Sequence, residues 1–267
     1  MKIAIIQFAP LLNQLDATIE RLDLLLTQCN KADLVVLPEL ANSGYNFSSK
    51  EEAIANAESI NDSRFIELLK QKCQENGYHI VSGFNEKDGK HLYNSSVLVN
   101  KDEVVGCYRK LHLFMNEQNI FQPGNAGLPV FEVGDAKIGM LICFDWTFPE
   151  VWRLMAMKGV DLILHPSNLV LPYAQSVVKG YAITNKIFVA TANRIGTEES
   201  LTFTGQSQVV SPQMEVLSQA SPDMEEIIFA NIDLSLSRNK NITPLNHSFE
   251  SRRTDVYKLT ENTTSNG

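Results

Sequence analysis

Three side chains of different chemistry stand where strand-like runs of this 267-residue chain break off. Cys143 follows Lys137-Ile-Gly-Met-Leu-Ile142, an apolar run suited to a buried strand. After it come an aspartate, three aromatics and Pro149-Glu150, which open an amphipathic helix. A thiol at a strand-to-helix junction is exposed at the rim of a sheet, where a nucleophile is useful. Taken alone, a buried structural cysteine is the plainer reading. Two further segments change that balance. Glu39 closes Asp33-Leu-Val-Val-Leu-Pro38, and Lys110 ends the run that starts at Val104. Strand ends in open α/β sheets face a common crevice. A carboxylate, an ammonium and a thiol gathered there supply a base, an oxyanion partner and a nucleophile.

The elements that must carry these groups alternate along the chain. The opening MKIAIIQFAP reads as a first strand, and Leu15 to about Cys29 as a helix with Leu22, Leu25 and Leu26 facing inward. Asp62 or Ser63 is placed to cap a helix over Arg64 to Asn76, which Gly77 would end. Tyr78 to Phe84 is the next strand. Leu92–Val99 and Val104–Tyr108 form a hairpin around residues 100–103, and Pro129–Val133 with Lys137–Ile142 a second around Gly134-Asp135. Such hairpins disfavour an all-parallel (β/α)₈ barrel. A helix from Pro149 to about Lys158, a strand over Val160–His165, a helix from about Tyr173 to Asn185 and a strand over Ile187–Thr191 follow. Phe203–Val210 and Met214–Ser218 look like a further hairpin, and Glu226–Ile232 like a late strand. This α/β mixture suggests two sheets face to face with helices outside. We expect one domain over residues 1–259 and a polar tail over 260–267 without fixed structure.

Composition narrows the setting. Hydrophobic residues make up 44% of the chain, enough for a substantial core. The net charge of −8, with no basic cluster beyond Arg252-Arg253, argues against nucleic acid and anionic membranes as partners. No run approaches the roughly 20 apolar residues that span a bilayer, and the N-terminus lacks the form of a secretory signal. Cys29, Cys73, Cys107 and Cys143 show no CxxC or metal-like spacing, which fits reduced thiols and a cytoplasmic setting. No two candidate ligands share a useful metal spacing, and Gly124, Gly127 and Gly134 form no phosphate cradle. We therefore expect neither metal nor cofactor. His112 and His165 could suggest a Cys-His pair, which would need one of them within hydrogen-bond reach of Cys143.

At "LPE" (Glu39), "YRKLHLF" (Lys110) and "CFDWTFPE" (Cys143) the chain resembles the nitrilase superfamily of carbon–nitrogen hydrolases. Gly44-Tyr-Asn-Phe47, Phe121-Gln-Pro-Gly124 and His165-Pro-Ser-Asn168 match as well, and the likeness runs from Met1 to about Tyr257. "HPSNLVLPYA", "NRIG" and "LSRNK" look most like small single-domain aliphatic nitrilases and related amidases. The resemblance implies a four-layer α-β-β-α sandwich, a homodimer or higher homo-oligomer built through helices near the site, and Glu39, Lys110 and Cys143 as catalytic residues. Residues 149–185 and the tail are the expected interface. It also implies a second glutamate, met here by Glu117, that orients Lys110 or substrate. Glu150, in a first helical turn, is read as structural.

In such a site Glu39 would take the thiol proton as Cys143 attacks. Lys110 and the backbone N–H of Phe144 would hold the tetrahedral oxyanion. Tyr45, Phe114, Phe144, Trp146 and Asn168 are expected around the substrate, with Trp146 reading equally as core packing. The motifs fix the reaction better than the substrate. A small aliphatic amide or nitrile is expected, with an N-carbamoyl amide hydrolase, a thioester-based acyltransferase and a non-catalytic binding scaffold as alternatives.

Overall fold

The computed structural model describes Met1–Asn262. In chain order, β1 (Lys2–Gln7), α1 (Leu15–Thr27), β2 (Leu34–Val36), α2 (Lys50–Ala55) and α3 (Arg64–Asn76) come first. Then follow β3 (His79–Asp88), β4 (His91–Val99), β5 (Val104–Arg109), α4 (Glu117–Ile120), β6 (Val130–Val133) and β7 (Ala136–Met140). A 3₁₀ turn over Cys143–Thr147 leads into α5 (Pro149–Met157), β8 (Leu162–Ser167), α6 (Ala174–Asn185) and β9 (Phe188–Asn193). The short pair β10 (Thr197–Glu198) and β11 (Leu201–Thr202) precedes β12 (Gln208–Val210), β13 (Val216–Gln219) and β14 (Glu226–Asn231). The chain ends in α7 (Ser235–Arg238) and the hairpin β15 (Asn241–Thr243) and β16 (Asn246–His247).

Two six-stranded sheets result, ordered β14-β1-β2-β3-β4-β5 and β13-β12-β9-β8-β7-β6. In each, three central strands run parallel (β1-β2-β3 and β7-β8-β9) and the flanking strands are antiparallel. Side-chain alternation sorts the layers. Ile3, Ile5, Leu34, Val36 and Val81 of the first sheet share a core with Ile138, Met140, Leu162 and Leu164 of the second. Their neighbours Ala4, Ile6, Val35 and Ile80 pack instead on Leu22, Leu25 and Leu26 of α1 and Phe65 and Leu69 of α3. Trp152 and Met155 of α5, with Val178 and Ala182 of α6, cover the far face of the second sheet. The product is the expected four-layer α-β-β-α sandwich. Each fully buried aliphatic side chain in these layers contributes about 1.5–3 kcal/mol relative to exposure.

Local chemistry sets the boundaries. Ser63, rather than Asp62, caps α3, its hydroxyl accepting from the Ile66 N–H at 3.1 Å, and Gly77 closes it at φ +77°. The short α2, capped by Ser49, and α4 are too brief to show periodicity in sequence. The strand expected from Phe203 pairs with β9 only at Gln208–Val210, because Gly205 and Gln206 both take left-handed backbone at φ +55° and break the extended run. β8 continues past His165 through Pro166 to Ser167, beyond the reach of β7, whose pairing stops at Leu164. Residues 263–267 of the tail expected to lack structure lie outside the described residues. Glu261, by contrast, is held, accepting the Leu128 N–H at 2.7 Å and pairing with Lys158. Among the described residues no helix is long and apolar enough to cross a membrane.

Candidate active site

The first sheet delivers two of the charged groups. Pairing outlasts β2, with the Leu37 N–H on Val81 O and the Gly83 N–H on Pro38 O, so Glu39 emerges at the sheet's end. Gly83 is required there, since a Cβ on it would lie 2.3 Å from the Glu39 Cα and 2.4 Å from the Leu40 nitrogen. Leu40 then turns through φ +49°. Lys110 leaves the end of β5, its N–H bound to Asn94 O and its carbonyl to the Gly124 N–H, each at 2.8 Å. Gly124 lies so close that a Cβ would meet the Arg109 carbonyl at 2.1 Å, which accounts for the glycine of "FQPG".

Glu39, Lys110 and Glu117 form a buried chain of charges. The Lys110 ammonium donates to Glu39 Oε1 at 2.7 Å and to Glu117 Oε1 at 2.8 Å, and both Glu39 and Lys110 are wholly shielded from solvent. Asn94 Nδ2 donates to the same Glu39 oxygen at 2.7 Å. Glu39 Oε2 is buried with no hydrogen-bond partner, which makes it the oxygen free to receive a proton. Glu117 Oε1 also accepts from the Tyr45 hydroxyl at 2.8 Å, and Oε2 accepts from the Phe114 N–H at 3.2 Å. Two carboxylates face one ammonium. Burial, opposed by Lys110 and reinforced by Glu39, pushes the Glu117 carboxyl up to about 7. Burial alone would lower Lys110, but Glu117 and Glu39 override it and hold the lysine charged.

The second sheet delivers the thiol. Cys143 begins the 3₁₀ turn after β7 at φ +40°, a left-handed backbone uncommon outside glycine. Asp145 holds that turn, its Oδ2 accepting from the Ile142 N–H and the Tyr108 hydroxyl at 2.8 Å each. Trp152 donates to Asp145 O at 3.0 Å, and Tyr181 to Trp146 O at 3.0 Å. Burial and the Glu39 charge push the Cys143 thiol well above its ordinary range, while Lys110 and the Asn168 backbone N–H pull it back. Such a thiol favours its protonated form, and any attack by it would need a base. Neither histidine is placed as that base. His165 Nε2 lies 2.9 Å from the Cys143 carbonyl, and burial pushes the ring down to about 4, so it is neutral. His112 pairs with Asp145 at 2.7 Å and stacks on Phe148.

Phe114, Phe144, Trp146 and Asn168 line a cleft at Cys143 together with Leu169, Val170 and Leu171. It leaves about 10 Å³ for the centre of a water-sized sphere, room for about one water. Trp146 both lines the cleft and packs on the core. Asn168 donates to Glu39 O at 3.0 Å, tying the second sheet to the first. Tyr45 departs from expectation. It borders a separate small cavity with Phe47, Glu117 and Phe121, and its hydroxyl is committed to Glu117. Sequence reasoning misses Asn94, Gly83 and the Tyr108–Asp145 pair. The polar run Asn94-Ser-Ser96 inside an apolar strand is the one available signal, since buried polar groups need partners. Among the described residues no three His, Cys, Asp or Glu side chains converge as a metal site.

Known proteins resemble this chain along most of its length. The Carbon-nitrogen hydrolase family profile matches residues 2–241. The chain is 44% identical over 259 residues to a nitrilase of Pyrococcus abyssi, covering 96% of this chain and 99% of that one. It is 29% identical to an N-carbamoylputrescine amidase of Arabidopsis thaliana over 253 residues, covering 85% of this chain and 84% of the relative. Nit3 of Saccharomyces cerevisiae, of the nitrilase superfamily, superposes with a TM-score of 0.83 at 26% identity, covering 95% of this chain and 96% of that one. The chain is thus a carbon–nitrogen hydrolase and belongs to the nitrilase superfamily.

Proposed function

We propose that this enzyme hydrolyses a small, uncharged aliphatic amide or nitrile through a thioester on Cys143. The observation that carries the reading is the buried Glu39–Lys110–Glu117 chain, whose one unpartnered carboxylate oxygen belongs to Glu39. Glu39 takes the thiol proton as sulfur bonds to the substrate carbon. Lys110, with the first free N–H groups of the 3₁₀ turn, balances the oxyanion. Protonated Glu39 then passes its proton to nitrogen, the C–N bond breaks, and ammonia leaves. A water that Glu39 deprotonates attacks the thioester, releasing acid and restoring the thiol. A nitrile would first give a thioimidate, and water would convert it to the same thioester with loss of ammonia. Glu117 holds Lys110 in place.

The cleft over Cys143 supports a small acyl group, since its lining is apolar apart from Asn168 and the thiol. We further propose a homodimer, favoured by a C-terminal arm that exposes Ile242, Leu245, Val256 and Tyr257, and a cytoplasmic setting, consistent with four free cysteines. Light scattering on a sizing column measures the assembly. The function is tested by ammonia release from short aliphatic amides, nitriles and carbamoyl amines, comparing wild type with Cys143→Ala. Cys143-dependent release from an uncharged short-chain compound is expected. Turnover confined to carbamoyl amines, or release that survives the substitution, would overturn the proposal.

A further inference from the structure

An ion pair that the chemistry above does not use lies behind Glu117. The Arg194 guanidinium and Glu198 carboxylate are 2.5 Å apart, and both side chains are buried. Arg194 also donates to Pro10 O at 3.2 Å and stacks over the Phe203 ring. Glu198 uses its two oxygens differently. Oε1 takes the guanidinium, whereas Oε2 accepts the backbone N–H groups of Tyr45 at 3.1 Å and Asn46 at 2.8 Å. Asn46 Nδ2 returns a bond to Glu198 O at 3.2 Å. The Tyr45 ring sets its edge against Phe203, 5.9 Å between centroids at 89°. Its hydroxyl then reaches the Glu117 oxygen that also receives Lys110.

We propose that Glu198 is a positioning residue for the catalytic centre. By clamping the Tyr45–Asn46 backbone against Arg194, it aims the Tyr45 hydroxyl at Glu117 and thereby sets the Glu117–Lys110 pairing. The proposal rests on the hydrolase reading above. The chemistry suits an ionised carboxylate, because a single side chain must accept from a guanidinium and from two adjacent amides. Freed from this clamp, the hydroxyl would leave Glu117, and a carboxylate that loses a donor holds its proton to higher pH.

Glu198→Ala, Tyr45→Phe and their combination test it, with Arg194→Met/Glu198→Ala as a form that leaves no unpaired buried charge if Glu198→Ala alone fails to fold. Two profiles are recorded from pH 5 to 9: ammonia release from propionamide, and Cys143 alkylation by iodoacetamide, which needs no turnover. Each single change should lower kcat by about tenfold to hundredfold with KM nearly constant, and raise the acid limb of both profiles by about one pH unit. The combination should be no worse than the weaker single variant. Losses that multiply, or an acid limb unmoved by loss of Glu198, would overturn the proposal. Absence of ammonia from wild type would instead count against the hydrolase reading, and the alkylation profiles would still decide the role of Glu198.

Discussion

Replacing Lys110 with methionine removes the one cation between two buried carboxylates while keeping much of the side chain's volume. The ammonium makes charged hydrogen bonds to Glu39 at 2.7 Å and Glu117 at 2.8 Å. At about 1.5–3 kcal/mol each, their loss would cost about 3–6 kcal/mol if both carboxylates stayed ionised. They need not stay ionised, since burial and mutual repulsion favour protonation once the ammonium is gone. The penalty must then depend on pH. In the unfolded chain both carboxyls ionise above about pH 4.3. In wild type, Glu117 already keeps its proton to about 7. The folded variant should retain about one proton more. A carboxyl whose folded pKa is raised gives stability that is present at low pH and lost as pH rises. Each extra bound proton steepens that loss by about 1.4 kcal/mol per pH unit. Lys110, raised by its partners, contributes a constant amount below its unfolded value. His165, pushed down to about 4 chiefly by burial, gives the opposite slope; the Lys110 charge is the smallest of its causes, so most of that slope is common to both proteins. Urea melts of both proteins at pH 5, 6, 7 and 8 should therefore show a penalty of about 1–2 kcal/mol at pH 5 growing to about 3–6 kcal/mol at pH 8. A penalty that is constant across the range, or largest at pH 5, would refute the reasoning.

Glu117→Gln removes the group that titrates at about 7; the stability of wild type relative to this variant should fall by about 3 kcal/mol between pH 5 and pH 8, read from the same melts. Gly83→Ala drives a methyl into the Glu39 backbone and should lower kcat by about a hundredfold while costing about 1–3 kcal/mol of stability, separable by activity assays below the melting range. Leu171→Ala widens the cleft at Cys143 and should shift kcat/KM toward acyl chains longer by one or two carbons, by about tenfold per carbon, in competition assays. An unchanged chain-length preference would place the acyl group elsewhere.

Glu39 and Cys143 are legible in sequence because each follows an apolar run suited to a buried strand, whereas Lys110 ends the half-buried edge strand β5 and is legible only by its motif. Val35, Leu37 and their neighbours announce the strand before Glu39, and Ile138 to Ile142 the one before Cys143. Helix α3 is equally legible, since Ser63 and Gly77 bracket a periodic stretch. Tyr45 is not. Its neighbours in sequence give it the look of a pocket aromatic, but its direction is set by Glu198, 153 positions away. Asn94 fails for the same reason, as its partner Glu39 lies 55 residues earlier. Motifs report what a strand end carries, whereas hydrogen bonds between distant loops depend on how the layers are stacked.

That stacking is itself part of the chemistry. Glu39, Asn94 and Lys110 belong to the first sheet, whereas Cys143, His165 and Asn168 belong to the second. The proposed base and its cation are thus fixed to one layer and the thiol to the other. Between them runs the apolar core of Ile3, Ile5, Val36, Ile138, Met140 and Leu164, all fully buried. Polar ties are concentrated at the site end, where Asn168 reaches Glu39 O at 3.0 Å and the Tyr108 hydroxyl reaches Asp145 at 2.8 Å. A close-packed core resists compression and transmits displacement, so a volume change between the sheets moves thiol and base relative to each other even far from the cleft. The spacing of the proposed nucleophile and base is therefore a property of the core, and the apolar residues that meet between the sheets help to determine it.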